Sequence, residues 1–342
     1  MRQTMSLGLI GSAALLSSIA FAQDAAIPDP ADPPTVVRTG TTDDNRITIP
    51  IRIAGKGPYD FIIDTGSQRT VISRELAASL ALPADGRLRI VSATGVSETE
   101  SVTMSDVSFG TTRIARVQAP IFADEHIGGH GLLGLDGLRA KRLVLDFRSG
   151  RMNIEPSQQR VTNDPDTIVV EARTRLGQLI LVDAKADGQK VNVILDTGSE
   201  SSIGNKALLA KLSKKRPEAF RRTTGVKSVT GEELVGQWGV IDRMRLGGVG
   251  INGLAVVFAD AGPFRELGLE DKPALLLGAA VLRGFDRVAI DFGRRRVDFL
   301  LPASEASTKA QMAAMSTPHA PRIPRDAGQV HPPPPEARTP DT

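Results

Sequence analysis

The sequence predicts an all-β chain built from two copies of one folding unit, and three observations carry that prediction. Short segments of alternating polar and apolar residues, separated by glycine-rich turns, run through most of residues 36–302, the pattern of half-buried strands. The tetrapeptide Asp64-Thr65-Gly66-Ser67 recurs as Asp196-Thr197-Gly198-Ser199, each behind an apolar run, Phe61-Ile62-Ile63 and Val193-Ile194-Leu195. A second pair of landmarks follows in the same order: Gly131-Leu132-Leu133-Gly134 leads to Arg142–Phe147, and Leu275-Leu276-Leu277-Gly278 leads to Arg287–Phe292. Landmarks repeated in order mark an internal duplication. Many short strands with few helices imply a closed or folded-over β architecture.

In chain order, residues 1–22 read as an export signal. Arg2 supplies the positive start, Leu7 to Phe21 an apolar stretch, and Ala20-Phe21-Ala22 the small residues a signal peptidase needs, with cleavage expected before Gln23. The competing reading is an uncleaved anchor, for which the stretch is short. Residues 23–35, rich in Pro, Asp and Ala, are an expected extended linker. The first unit spans 36–155. Arg46 to Ile53 alternates as a strand into the turn Ala54-Gly55-Lys56-Gly57, and Phe61–Ile63 is a buried strand that delivers Asp64 at its end. Ser73 is placed to cap a short helix beginning at Arg74. Ser92-Ala93-Thr94-Gly95 forms a small-residue turn, and Ser101–Met104 alternates after it. Residues 156–166, polar and flanked by proline, are the expected linker between the units. The second unit, 167–302, repeats the plan with a helix over Asn205–Leu212, a turn at Ser228-Val229-Thr230-Gly231 and another at Gly247–Gly250. Asp146 and Asp291 end late strands ahead of turns and read as structural. Residues 303–342 lose apolar periodicity and gain proline. They cannot bury enough surface to offset their ordering entropy, so disorder is expected.

The duplicated Asp-Thr-Gly-Ser motif, with the apolar strand before it and the apolar-apolar-Gly element after it, resembles the retropepsin/pepsin superfamily of aspartic proteases. The likeness covers roughly residues 36–302, and the chain resembles bacterial retropepsin-like proteins in which two such domains are fused in one chain. It implies two acid-protease β-barrels around a pseudo-two-fold cleft, with Asp64 and Asp196 as the catalytic pair. Two carboxylates a few Å apart cannot both ionise, so one keeps a proton and polarises the scissile carbonyl while the other takes a proton from water. The family motif implies that Thr65 and Thr197 hydrogen-bond across the two-fold. Gly66 and Gly198, lacking Cβ, allow a tight turn whose N–H groups approach the carboxylates. Ser67 and Ser199 are expected to place hydroxyls beside the carboxylates. The elements ending at Gly134 and Gly278 should pack against the catalytic loops. The two small-residue turns fall where the family has flap hairpins, with Thr94, Gly95, Thr230 and Gly231 at the tips, closing over an extended peptide. The pepsin flap tyrosine is missing: the only Tyr is Tyr59, ahead of the first catalytic strand. Trp238, past the second tip, is expected in the core in preference to a place beneath the flap.

Other features limit the function classes. A formal charge of +3 over 342 residues gives no footing for nucleic acid. The basic run Lys211–Arg222 reads as the solvated face of the helix after the second motif. With no cysteine, neither a disulfide nor a lipid attachment is open to the chain. His126 and His130 have i, i+4 spacing, but Gly128 and Gly129 between them favour a loop over a metal pair. No metal and no cofactor is expected. The reading is thus an exported aspartic endopeptidase, periplasmic or secreted. Its substrate is a protein or peptide in extended conformation, with no nucleic acid and, after signal cleavage, no membrane. It works as a monomer with one asymmetric site; a homodimer pairing homologous halves is the alternative assembly. The alternative function keeps the fold as a catalytically inactive peptide-binding module with the two aspartates too far apart to share a proton. Intact motifs in both halves argue against that, since binding needs neither carboxylate.

Overall fold

Every isoleucine of the strand Ile47–Ile53 is buried while Arg52 points to solvent, the period-two alternation expected of a barrel wall. The computed structural model describes residues 35–43, 46–138, 141–157, 166–214 and 216–302. The expected signal, nearly all of residues 23–35, most of the expected linker 156–166 and the proline-rich tail lie outside the described residues.

In the first half, Ile47–Ile53 pairs with Lys56–Ile63, which runs parallel to Gly131–Leu133. The ladder continues through Val71–Ser73, Thr112–Phe122 and Gly95–Phe109, which returns to Ile47–Ile53 and closes a six-stranded barrel. The second half repeats the order: Gln178–Leu181, Asn192–Asp196, Ala274–Gly278, Ser202–Gly204, Val249–Phe258, Glu233–Leu246 and then Ala184–Ala186. Here the first wall strand is broken at Val182-Asp183, both exposed. The parallel pairing in each half sets each catalytic strand beside its apolar-apolar-Gly strand, with Asp196 opposite Gly278.

A shared sheet joins the halves, in the order Thr35–Arg38, Arg151–Pro156, Lys141–Asp146, Arg287–Asp291, Arg296–Leu300, Thr167–Arg175. At its centre Val144 faces Ala289, with Arg142 opposite Asp291 and Asp146 opposite Arg287. The duplicated segments therefore meet antiparallel about one point, which is the pseudo-two-fold written in strand register. Asp146 and Asp291 accept the backbone N–H of Ser149 and Arg294 at 2.8 and 2.9 Å, the structural role expected of them. Arg142, buried in this sheet, donates to Glu155 at 3.2 Å and Asp298 at 3.1 Å. Removing one partner of such a buried pair leaves an uncompensated charge, so the cluster holds the register.

The two short helices Arg74–Ser79 and Lys206–Leu212 are capped as their sequences imply. Ser73 Oγ accepts from Leu76 N–H at 3.1 Å, and Asn205 Oδ1 from Leu208 N–H at 2.9 Å. Among the described residues no helix is long and apolar enough to cross a membrane.

Three local expectations need correction. Trp238 is only half-buried on the strand Glu233–Leu246, where the Arg222 guanidinium lies 4.9 Å from its ring centroid. The hairpin flank leaves that face open, and a cation covers it in place of a core. The basic run is not one helical face: Arg216 leaves the helix to bind Asp242 and, at 2.9 Å, Asp187, and Arg222 opens a strand. His126 sits on a one-turn helix, Asp124–Ile127, which Gly128 stops in left-handed conformation, so only His130 lies in a loop.

Candidate active site

Two strand ends meet at the bottom of the cleft. Asp64 follows three fully buried residues, Phe61, Ile62 and Ile63, and its N–H bonds the Leu133 carbonyl at 2.9 Å. That strand is too well packed to shift, so the loop after it has a fixed origin. The same applies to Val193, Ile194 and Leu195 ahead of Asp196.

Thr65 and Thr197, both buried, tie the two loops together. Thr65 N–H donates to Thr197 Oγ1 at 3.0 Å, and Thr197 N–H donates to Thr65 Oγ1 at 3.2 Å. The hydroxyls donate onward across the two-fold, Thr65 to the Leu195 carbonyl at 2.9 Å and Thr197 to the Ile63 carbonyl at 2.6 Å. Three buried polar groups per side thus find their partners in the other half.

This lock presses each loop onto the opposite carboxylate. A Cβ on Gly198 would lie 2.2 Å from Asp64 Cγ, and one on Gly66 would lie 2.8 Å from Asp196 Cγ. Only glycine fits at either place. Within each loop the N–H groups serve their own aspartate: Gly66 and Ser67 donate to Asp64 Oδ1 at 2.8 and 2.9 Å, and Gly198 and Ser199 to Asp196 Oδ1 at 3.1 and 3.2 Å. The serine hydroxyls depart from expectation. Ser67 Oγ donates to the Arg69 carbonyl at 2.8 Å and Ser199 Oγ to the Ser201 carbonyl at 2.9 Å, closing turns away from the carboxylates. Gly134 and Gly278 do pack against the loops: a Cβ would stand 2.3 Å from the Arg69 backbone and 2.5 Å from the Glu200 carbonyl.

The electrostatics follow from this crowding. Burial pushes the Asp64 carboxyl above the usual carboxylate range, against the two N–H bonds and the Arg46 charge. Burial and then the neighbouring Asp64 charge push Asp196 up to about 7. A pair in this state holds one proton over a wide pH span, as one unit.

Two side chains of the site were absent from the sequence reading. Arg46 Nη1 donates to the Gly198 carbonyl at 3.5 Å, and Gln178 Nε2 donates to the Gly66 carbonyl. Each stands 18 residues ahead of its own aspartate. That equal offset is the signal by which they could have been found.

The flap turns come together above. The first tip joins Ala84–Ser92 to Gly95–Phe109, the second Arg222–Lys227 to Glu233–Leu246. Thr94 Oγ1 and Thr230 Oγ1 are 3.2 Å apart, so the tips bond each other. Each tip also rests on the other half. Gly262 N–H donates to the Ala93 carbonyl at 3.0 Å, and Gly231, at φ +84°, lies so close over His126 that a Cβ would be 2.4 Å from its ring. Gly95, at φ +141°, makes the sharp return of the first tip. His130 packs instead against Tyr59, ring centroids 5.8 Å apart, so the two histidines serve different neighbours.

Apolar clusters lie under the flap hairpins. Ile62, Val71, Phe122, Ile127 and Leu132 cluster in the first half with Ile90 and Val229 of the two flaps against them. In the second half Ile194, Ile203, Phe264 and Leu276 cluster under Val226 and Leu234.

A family model described as aspartyl protease matches residues 49–136 and 182–281. Each stretch carries one Asp-Thr-Gly-Ser loop and its apolar-apolar-Gly strand. A comparison with curated proteins finds no match.

Proposed function

The chain belongs to the aspartyl protease family, and on that premise we propose that it is an exported endopeptidase whose single site is the Asp64–Asp196 pair. A water held between the carboxyls is the nucleophile. The ionised carboxyl removes its proton as it attacks the scissile carbonyl, and the protonated carboxyl donates to that carbonyl's oxygen. The proton taken from water then passes to the departing nitrogen as the C–N bond breaks, and a hydroxyl of the tetrahedral diol returns its proton to the other carboxyl, which restores the pair. The reciprocal threonine bonds keep both carboxyls in place without reorganisation, which is the source of rate in such a site.

The substrate is a peptide in extended conformation, lying between the flaps and the pair as an added strand. Its side chains on either side of the scissile bond are apolar, matching the half-buried apolar side chains of the flap hairpins, Ile90 and Val229 over one cluster and Val226 and Leu234 over the other. The protein acts as a monomer, both half-sites being on one chain, in the periplasm or outside the cell, as residues 1–22 suggest.

One observation carries this reading: Gly198 is seated against the carboxyl of Asp64 and Gly66 against that of Asp196. A peptide-binding module with separated aspartates has no use for that approach. The test is incubation of the mature protein with peptides containing paired apolar residues between pH 3 and 8, with products identified by mass. Cleavage at apolar junctions is expected; no cleavage of any peptide over that range would overturn the proposal.

A further inference from the structure

Arg46 and Gln178 break the pseudo-two-fold where charge is decided. They occupy matching places, and each reaches across to a glycine carbonyl of the opposite catalytic loop. Both are buried, with 9% and 4% of their surface exposed. One is a permanent cation and the other a neutral amide. Room for the cation is built in: a Cβ on Gly128, which sits at φ +76°, would stand 2.3 Å from Arg46 Nη2. The loop whose carbonyl takes the Arg46 bond is the one whose glycine, Gly198, lies against Asp64. The backbone bonds lean the same way, being 2.8 and 2.9 Å to Asp64 against 3.1 and 3.2 Å to Asp196.

We propose that Arg46 is a positioning residue that keeps the negative charge of the pair on Asp64, leaves the proton on Asp196, and so sets the pH window of the site. The proposal rests on the hydrolase reading above and assigns the two roles within it. A buried cation acts through a low effective dielectric and stabilises the anionic forms of the pair more than a surface charge can. Its charge opposes the upward push of burial on both carboxyls, while the charge on Asp64 holds Asp196 higher still. The other ionisable groups on the elements packed here include Asp43 in the turn before Arg46, Asp60 on the strand Lys56–Ile63, Arg69 on the first loop with Asp136 beside it, Glu200 on the second loop, and Asp124, Glu125 and His126 on the helix that Gly128 ends. His126, beneath the second flap tip, is the control.

The experiment compares profiles of kcat/KM against pH, on one apolar-junction peptide, for the wild type, Arg46→Gln, Arg46→Lys, Gln178→Arg and His126→Asn. Loss of the cation should move both limbs of the Arg46→Gln profile upward by about one pH unit, the scale of one charge at this range. Arg46→Lys should keep the wild-type limbs, and Gln178→Arg, adding a second cation, should move them down. That last variant decides the matter even if Arg46→Gln fails to fold. Limbs that stay put in both Arg46→Gln and Gln178→Arg, or that move equally in Arg46→Gln and Arg46→Lys, overturn the assignment, as does a shift produced by His126→Asn instead. A wild type that hydrolyses nothing refutes the hydrolase reading separately. The carboxyl 13C titrations still decide this one: Asp64 should ionise before Asp196 in the wild type and Arg46→Gln should raise both, whereas Asp196 ionising first, or no rise in Arg46→Gln, overturns the assignment.

Discussion

Replacing Gly198 with alanine adds one methyl group at the most crowded point of the site. The new Cβ would stand 2.2 Å from Asp64 Cγ and 2.5 Å from both its oxygens, where ordinary contact begins at 3.4 Å. The carboxyl or the loop must therefore give by about 1.2 Å. The threonine lock resists movement of the loop, so the Asp64 carboxyl moves. A displacement of about 1 Å in a catalytic group costs on the order of 100-fold in rate, and overpacking of this kind costs about 1–3 kcal/mol in stability. Gly66→Ala, with 2.8 Å to Asp196 and thus half the overlap, should lose less. Gly250→Ala, with nothing within 4 Å of its Cβ and no positive φ, should match the wild type. Steady-state hydrolysis of a quenched fluorescent peptide gives kcat for the three variants, and urea unfolding confirms that each is folded. A folded Gly198→Ala enzyme with wild-type kcat would refute the claim that these glycines set the carboxyl positions.

Three further outcomes follow from the same geometry. Thr197→Val keeps the shape but leaves the Thr65 N–H and the Ile63 carbonyl buried without their partner, and urea unfolding should show a loss of about 2–4 kcal/mol. Ser67→Ala removes a turn bond to the Arg69 carbonyl and nothing from the carboxylates, so kcat/KM should stay within about threefold of the wild type, with a stability loss of about 1 kcal/mol. Asp196 holds its proton from the ordinary carboxylate range, 3.8, up to about 7 in the folded state. The native form therefore binds more protons than the unfolded form across that window, and stability falls as pH rises through it. Asp196→Asn should melt higher than the wild type at pH 8 and lose that advantage below pH 4.

The parts of this account that rest on contiguous residues were readable in the chain. The turn bonds of the two Asp-Thr-Gly-Ser loops, the caps at Ser73 and Asn205, and the bonds Asp146 and Asp291 accept from the turns after them each act within a few positions, so residue type and spacing determine them; the threonine bonds between the loops were legible only through the family motif. Part of what escaped is set by contacts between the halves. Arg46 finds Gly198 and Gln178 finds Gly66 across more than 100 residues, and no local pattern marks either partner. The serine hydroxyls went to nearby carbonyls because the backbone N–H groups already fill Asp64 Oδ1 and Asp196 Oδ1. That competition is visible only once the turn is built. Trp238 was misplaced because hydrophobicity alone favours the core, whereas its directly opposite strand partner, Arg222, can cover an aromatic face at the surface. The joining sheet lay between these cases. Its strands were foreseeable as alternating segments, but the meeting of Arg142–Asp146 with Arg287–Asp291 depends on how two barrels dock.

The central claim is that one chain makes one site from Asp64 and Asp196. Its most direct test is hydrolysis by Asp64→Asn and Asp196→Asn, measured separately and after the two proteins are mixed and refolded together. Each should fold and each should be inactive, because each lacks half of one proton-sharing unit, and the mixture should remain inactive, because no chain in it holds both carboxyls. Activity in either single variant, or activity regained on mixing, would contradict the account and point to sites formed between chains.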